Sequence, residues 1–460
     1  MPARPGAAEV PTVLKKSGGA SRAGRVNSGD PDEGPGGLLV GVDRADITPE
    51  LPIALAGYAH RREPAEQVLA PLRLRTAVLD QPGAEPVALV SADLLWWGDD
   101  LVERVRPRVA EATGLAADRL VLHATHNHSG PQTAHGMTPS LGLPDERYLD
   151  RLVDALIASV RRARATPVPV RVVAGQAGGI AVVDRRSART AGRLTPGTID
   201  DTLTVIGFLD EDDTVVCAGV HLACHPVVHH GNAVTPDLLG TLASQLEDDL
   251  APVVLPLQGC CGDVNPARYR PDGTFVDGGQ AEVERDAGDL AALARTALAG
   301  ATDAGAPALA ITRRQVTLPL LGRAPEWLLP ELIEVPGHVG EWAALRGTPG
   351  DPTGTRPDPV LQLVRLDLTD GLALLGMSGE PVSRYGLRVR DSGGGRVLPL
   401  GYTDGMSCYL VTADQIAEGG YEPCEAPLWF GLPAPLSPGV EELLLGELDA
   451  LADRARTPAR

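Results

Sequence analysis

The segment Leu120-Val121-Leu122-His123-Ala124 runs directly into Thr125-His126-Asn127-His128-Ser129-Gly130-Pro131. The first five residues predict a buried β-strand, and the Ser-Gly-Pro that ends the second run favours a tight turn. If the chain stays extended after the strand, His126 and His128 share one face, because side chains two residues apart point the same way. Imidazole is the commonest zinc ligand. The pair is therefore either part of a metal site or two loop histidines in water.

Three further polar clusters each begin just past a predicted apolar strand: His225 after 214–223, Asp263 and Asn265 after 253–257, and Glu380 after 372–376. Ligand sites in open α/β sheets assemble at such strand ends. The shared placement therefore predicts one site to which all four clusters contribute. Each cluster alone keeps a second interpretation: His225 could belong to a polar loop, and an acidic residue such as Glu380 is also typical of a helix N-terminus.

Other candidate ligands are weaker by residue type or spacing. A tyrosine in a strand, such as Tyr409, is usually a core or interface residue. His229 and His230 follow His225 closely, and the sequence leaves a second metal at that place open. A structural zinc site that uses Cys260 and Cys261 is disfavoured, because adjacent cysteines lack the spacing of such sites.

Strand-like and helix-like patterns alternate along most of the chain. Predicted strands cover 38–42, 72–79, 87–90, 120–124, 168–175, 202–209, 214–223, 253–257, 360–368, 372–376 and 397–401, and predicted helices cover 99–113, 147–164, 238–249, 283–299 and 441–454. This order predicts an α/β fold, with a central mixed β-sheet flanked by helices and a metal site at the strand C-terminal ends. Residues 1–37 have the composition of a disordered leader, and 38–460 are predicted to form a single catalytic domain. The Pro- and Gly-rich stretch 323–358 could be an ordered excursion or a lid.

Composition narrows the class of partner. The formal net charge is -19, and an acidic surface repels both phosphate backbones and anionic lipid. No run of 18 uninterrupted apolar residues predicts a membrane span. Six cysteines in a long chain that opens without a secretory signal predict free thiols. We therefore expect a cytoplasmic protein that acts on a small molecule, without nucleic-acid partners or membrane insertion; a homo-oligomer is compatible with the sequence.

Several short motifs, taken together, resemble the neutral/alkaline non-lysosomal ceramidase family. Residues 125–131 resemble the family's T-H-T-H-S-G-P motif. The other similar segments are Gly41-Val42, Ile47-Thr48-Pro49, Ala56-Gly57-Tyr58, Cys224-His225-Pro226-Val227, Gly262-Asp263-Val264-Asn265-Pro266, Gly379-Glu380, Tyr409-Leu410-Val411-Thr412 and Tyr421-Glu422. They occur in the family's own order over roughly 39–430, which argues against coincidence.

The resemblance implies a zinc-dependent amide hydrolase with one zinc per chain. The implied zinc ligands are His126, His225, Glu380 and Tyr409, and the implied catalytic residues are His128, Tyr421, Asn265 and Arg185. His128 and Tyr421 would flank the substrate carbonyl. An arginine is expected in the loop that follows the strand 168–175 and carries residues 184–187, and Arg186 is the alternative to Arg185. Zinc-activated water would attack the amide carbonyl.

Two departures from the family bear on the substrate. Asn265 stands where the family's G-D-V-S-P motif has serine, and an amide side chain cannot act as a nucleophile, although it can donate and accept hydrogen bonds. The chain also stops soon after the catalytic motifs, so the family's additional C-terminal β-domain is not expected. We therefore favour a linear amide that is smaller and more polar than ceramide. Two alternatives stay open: a non-hydrolytic zinc enzyme for amide formation, acyl transfer or cyclisation, and a binding protein with an inactive metal site.

Overall fold

The structure, a computed structural model, describes residues 37–194, 196–321, 358–432 and 434–453. The predicted leader and the predicted excursion at 323–358 lie outside these residues, apart from one boundary residue of each. The division into a leader and one catalytic domain stays a prediction.

The strands are β1 Leu38–Asp46, β2 Arg73–Asp80, β3 Val87–Ala92, β4 Leu120–Ala124, β5 Val168–Gly178, β6 Val182–Asp184, β7 Thr202–Leu209, β8 Val215–Leu222, β9 Val254–Gln258, β10 Val264–Pro266, β11 Thr302–Asp303, β12 Pro307–Thr317, β13 Val360–Thr369, β14 Ala373–Met377, β15 Glu380–Pro381, β16 Val397–Leu400 and β17 Tyr409–Leu410. The α-helices are α1 Asp99–Thr113, α2 Glu146–Ala165, α3 Arg185–Arg189, α4 Asp237–Glu247, α5 Gln280–Ala299, α6 Ser383–Ser392, α7 Ala413–Glu418, α8 Ala426–Trp429 and α9 Val440–Ala452. Short 3-10 turns cover Ala117–Arg119 and Pro139–Leu141, and a π-helical turn covers Tyr421–Glu425.

A large mixed sheet has the strand order β4-β3-β2-β1-β5-β7-β8-β9, with β11 paired to β5. Its pairs are antiparallel except β3 with β4 and β8 with β9, which are parallel. A second sheet has the order β12-β13-β14-β16. The predicted α/β class with a central mixed sheet is confirmed.

Apolar side chains bury both faces of the large sheet. Leu38, Leu79 and Leu255 pack in one cluster with Leu366 and Leu374 of the second sheet, so the two sheets lie face to face. The opposite face is covered by α1 and α2 over β1 to β3 and by α4 and α5 over β5 to β9. Helices α6 and α9 pack on the outer side of the second sheet. The layers are therefore helix, sheet, sheet and helix.

Local sequence explains the element bounds. Helix α1 covers the predicted residues, because its apolar residues Leu101, Val102, Val105 and Val109 all face the core. Helix α2 begins where the Asp145 carboxylate accepts hydrogen bonds from the backbone N–H groups of Arg147 and Tyr148.

The structure corrects the prediction in the segment 184–187, which we expected to be a loop. Asp184 ends β6 and caps the short helix α3, since its carboxylate accepts hydrogen bonds from the N–H groups of Arg186 and Ser187. The helix α6 and the strand β12 were not predicted. All six cysteines are free thiols, as expected.

A fully buried ion network joins the large sheet to α4. The Arg75 guanidinium on β2 lies 3.2 Å from the Asp93 carboxylate and 2.8 Å from the Glu247 carboxylate, and none of the three side chains is more than 1% exposed. Among the described residues, no helix is both long and apolar enough to cross a lipid bilayer.

Candidate metal centre

Three strand ends bring polar atoms to one buried point. His126 follows β4, His225 follows β8, and Glu380 follows β14 and begins β15. Glu380 Oε1 lies 3.1 Å from His126 Nε2 and 2.9 Å from His225 Nε2, and the two Nε2 atoms are 3.2 Å apart. The three side chains are at most 2% exposed. We call His126, His225 and Glu380, with His128 beside them, the acceptor cluster.

The backbone at His126 differs from the expected extended conformation. Its φ angle is +64°, in the left-handed region that a β-carbon disfavours. The imidazoles of His126 and His128 nevertheless converge, with their Nε2 atoms 3.1 Å apart. The turn, and not an extended strand, therefore brings the two rings together.

Hydrogen bonds fix which nitrogen of each ring faces the cluster. His126 Nδ1 lies 3.1 Å from the Leu95 carbonyl oxygen, and His225 Nδ1 lies 2.6 Å from the Cys261 carbonyl oxygen. A carbonyl only accepts, so each Nδ1–H donates, and each Nε2 is the nitrogen that faces the cluster and, in the neutral ring, presents its lone pair there. Metal-ligating histidines are held in the same manner.

The charges in the cluster favour a cation. Burial lowers the pKa of His225 to about 4, and burial together with neighbouring His126 lowers the pKa of His128 well below its ordinary value. Both rings are therefore neutral near pH 7. Glu380 Oε1 is buried without a hydrogen-bond donor, and a buried charged oxygen without a partner is costly. A divalent metal ion fits this group of acceptor atoms, and among the described residues the ring nitrogens of His126, His128 and His225 form the only group of histidine, cysteine and acidic side chains that could hold a metal ion.

Strand pairing places Tyr409 beside Glu380. The short strands β15 and β17 run parallel, and Glu380 lies opposite Tyr409. The Glu380 N–H donates to the Cys408 carbonyl at 2.9 Å, which fixes the register. The Tyr409 hydroxyl accepts a hydrogen bond of 2.9 Å from Arg185 Nη2. Sequence alone could not place this tyrosine, because its position depends on the contact between two-residue strands.

The two candidate arginines have different surroundings. Arg185 lies with Nη1 3.2 Å from His225 Nε2 and Nε 2.8 Å from Glu422 Oε1. Arg186 points away from the cluster and pairs with Glu422 Oε2 at 2.7 Å and Glu418 at 3.1 Å. The buried Glu422 carboxylate therefore holds both arginines, and only Arg185 reaches the cluster.

A cavity of about 380 Å³ opens beside the acceptor cluster, and His128, Arg185, Asn265, Tyr409 and Tyr421 all line it. Asn265 Nδ2 donates to the Tyr269 hydroxyl at 2.8 Å, whereas Asn265 Oδ1 is buried without a partner. The Tyr421 ring meets the Tyr409 ring edge to face, with centroids 5.9 Å apart. The cavity is therefore lined by the four residues that the resemblance implied as catalytic, together with Tyr409, which it implied as a zinc ligand.

Arg61 was missed from the sequence. Its Nη1 donates to the His128 carbonyl at 2.5 Å and its Nη2 donates to the Gly231 carbonyl at 2.8 Å, so one side chain joins two loops behind the cluster. A single arginine after a glycine-tyrosine pair carries no sequence signal for this role. Gly57 is also needed there, because a β-carbon would lie 2.6 Å from His128 Nδ1 and the φ angle is +95°.

The side chains of the other candidate ligands contact other groups. His230 Nδ1 lies 3.0 Å from Asp277, and His229 Nδ1 lies 3.5 Å from the Ser129 hydroxyl. The Cys261 thiol lies 3.0 Å from the Tyr402 hydroxyl, and Cys260 is buried. Within the described part of the chain, neither pair joins a metal-binding group.

Comparison with known proteins gives one consistent likeness. The chain is 27% identical over 259 residues to the neutral ceramidases of Drosophila melanogaster and Drosophila pseudoobscura pseudoobscura, which corresponds to 49% of this chain and 36% of each relative. The fold matches the crystal structure of neutral ceramidase from Pseudomonas aeruginosa with a TM-score of 0.73 at 20% identity, over 92% of this chain and 75% of that one. A ceramidase complexed with C2 matches with a TM-score of 0.73 at 19% identity. No protein-family model matches the sequence. The chain thus spans about a third of the length of these curated relatives, and the resemblance to the neutral ceramidase family is confirmed.

Proposed function

From its relation to the neutral ceramidases, we propose that this chain is a metal-dependent amidohydrolase that cleaves a linear amide. The observation that carries the proposal is the acceptor cluster, in which a buried carboxylate oxygen without a donor faces two imidazole lone pairs at 2.9 and 3.1 Å. Such an arrangement is repulsive by itself and becomes favourable around a cation. In a hydrolase that is related to amide-cleaving enzymes, a metal cation at this place would take part in the cleavage of the amide.

We assign the metal to His126, His225, Glu380 and Tyr409, with zinc as the expected ion. Nitrogen and oxygen donors of this kind suit zinc, whereas tyrosine is an unusual ligand. His126 and His225 each have a backbone carbonyl that orients the ring, and His128 Nδ1 has no partner. This difference supports His126 and His225 as ligands and leaves His128 to contact the substrate. A bound zinc ion supplies a water nucleophile near neutral pH by lowering that water's pKa to about 7.

The side chains around the cavity provide for binding and orientation of the amide. Arg185, His128 and Tyr421 lie on the cavity wall, where each can donate a hydrogen bond to the oxygen of the scissile carbonyl as it gains negative charge. Arg185 is held protonated because, although burial opposes its charge, Tyr409 and Glu422 raise its pKa well above the ordinary value. The Glu422 carboxylate positions the guanidinium by accepting from its Nε.

Asn265 supports a reaction without an acyl-enzyme intermediate. Its Nδ2 donates to Tyr269, its buried Oδ1 has no donor, and the residue lines the cavity. An amide oxygen cannot attack a carbonyl, but it can accept a hydrogen bond from a substrate N–H or O–H. We therefore propose a small polar N-acyl amide as substrate in preference to ceramide.

The test is elemental analysis for metal, combined with turnover of a panel of N-acyl amides before and after chelation. We expect one zinc per chain and amide cleavage that chelation abolishes and zinc restores. If the protein binds zinc but cleaves no amide of the panel, we would replace the proposal of hydrolysis by that of a condensing or cyclising reaction at the same site. A protein that binds no zinc would refute the proposal.

A further inference from the structure

One wall of the cavity concentrates aromatic side chains in a chain that has few. Aromatic residues make up only 3% of the sequence. Tyr58, His230, Phe275 and Tyr269 nevertheless follow one another in ring contact, with centroid distances of 4.7, 5.1 and 5.1 Å. All four line the cavity beside the acceptor cluster. We call these four residues the aromatic wall.

The aromatic wall is built on a braced loop. Tyr269 and Phe275 face each other across a tight hairpin in which the Arg270 N–H donates to the Thr274 carbonyl at 2.9 Å. At the base of the hairpin, the Arg268 guanidinium pairs with Asp286 of α5 at 2.8 Å. The rings are thus held in place before any ligand binds, which limits the entropy that binding must overcome.

Burial distinguishes the aromatic wall from ordinary core packing. Tyr58, His230, Tyr269 and Phe275 are all half-buried, whereas aromatic residues that serve packing, such as Trp97 and Tyr385, are completely buried. Half-buried rings that line a cavity leave part of their aromatic surface available to a ligand. Ring pairs prefer edge-to-face or offset contacts with centroids 4.5 to 7 Å apart, roughly the spacing that the wall rings already have among themselves.

We propose that the aromatic wall is a subsite for a planar, unsaturated group of the substrate, so that the amide is a compact aryl or heteroaryl amide. The inference rests on the proposed function, because it places the scissile carbonyl at the acceptor cluster and the planar group against the aromatic wall, whose Tyr58 ring lies 5.0 Å from the His128 ring. One added ring contact strengthens binding by about three- to tenfold.

The experiment uses two hydroxamic acids as probes of the zinc-loaded protein. Benzohydroxamic acid and cyclohexanecarbohydroxamic acid have the same metal-binding group and rings of similar size, but only the first ring is planar and aromatic. Calorimetry should show that benzohydroxamic acid binds at least about threefold more tightly than cyclohexanecarbohydroxamic acid. Phe275→Leu should reduce this preference to near one, and Phe275→Trp should retain it. Phe208→Leu, which changes a ring buried between the two sheets, is the matched control and should leave the preference as it is.

Equal affinities for the two probes, or a preference that survives in Phe275→Leu, would overturn the inference. Zinc content measured on the same samples separates this failure from failure of the proposed function. A protein that holds zinc but does not distinguish the probes loses only the aromatic subsite. A protein that takes up no zinc loses the hydrolase assignment, and the subsite with it.

Discussion

Replacing Glu380 with glutamine should have opposite effects on the metal-free and the zinc-loaded protein. In the metal-free protein, Glu380 Oε1 faces the lone pairs of His225 Nε2 at 2.9 Å and His126 Nε2 at 3.1 Å. Because His225 Nε2 already accepts from Arg185 Nη1, a carboxamide N–H in the same position can donate to His126 Nε2, so a repulsive contact becomes a hydrogen bond. The free energy of unfolding after chelation should therefore rise by about 1 kcal/mol.

Zinc affinity should fall in the same variant, because the Glu380 carboxylate is, within the described part of the chain, the only anionic group that faces both imidazoles. Changes in residues that merely support metal ligands already lower affinity by about 10- to 100-fold. We therefore expect a loss of about 100-fold or more for Glu380→Gln. Competition with a chromophoric chelator measures the affinity, and denaturant unfolding with and without a chelator measures the two stabilities.

Glu418→Gln is the matched control for this prediction. Glu418 pairs with Arg186 at 3.1 Å, and its side chain is 42% exposed. Its neutralisation should therefore leave zinc affinity unchanged and should not raise the free energy of unfolding of the metal-free protein. Undiminished zinc affinity in Glu380→Gln would show that the carboxylate is not a ligand. A metal-free Glu380→Gln protein that is less stable than the wild type would show that the close contact is not repulsive.

Tyr421→Phe should lower turnover by about 100-fold with zinc content intact; unchanged turnover, measured with the best amide of the panel, would remove this hydroxyl from the mechanism. Arg75→Met should lower the free energy of unfolding by about 3–5 kcal/mol, because it leaves two buried carboxylates without their cation; denaturant melts check it, and a loss below 1 kcal/mol would contradict it. Burial lowers the pKa of His221 and His225 from 6.5 to about 4, so the unfolded chain binds protons that the folded chain does not, and the stability of the metal-free protein should fall as pH drops from about 6.5 to about 4. A flat profile in melts at pH 7, 6 and 5 would exclude neutral buried histidines. Asn265→Ser should not confer ceramide hydrolysis, and measurable release of fatty acid from ceramide would contradict the preference for a smaller amide.

Periodicity and strand composition were enough to predict most of the elements that position the site. Helix α1 and strand β4 have their predicted bounds, because each buries its apolar side chains. The helix α6 was missed, since Arg384, Arg388 and Arg390 interrupt its short apolar pattern. Its helical structure depends on packing against α9 and β16.

The sequence by itself determined the alternating α/β order, the placement of histidines and Glu380 after strands, and the motif order shared with the ceramidases. Tertiary structure alone decided which of these residues meet. Parallel pairing of β15 with β17 sets Tyr409 opposite Glu380, Glu422 directs Arg185 and not Arg186 into the cavity, and the left-handed turn at His126 aims both imidazoles at one point. The physical reason is that each of these choices depends on contacts between residues far apart in the chain, which local periodicity does not encode.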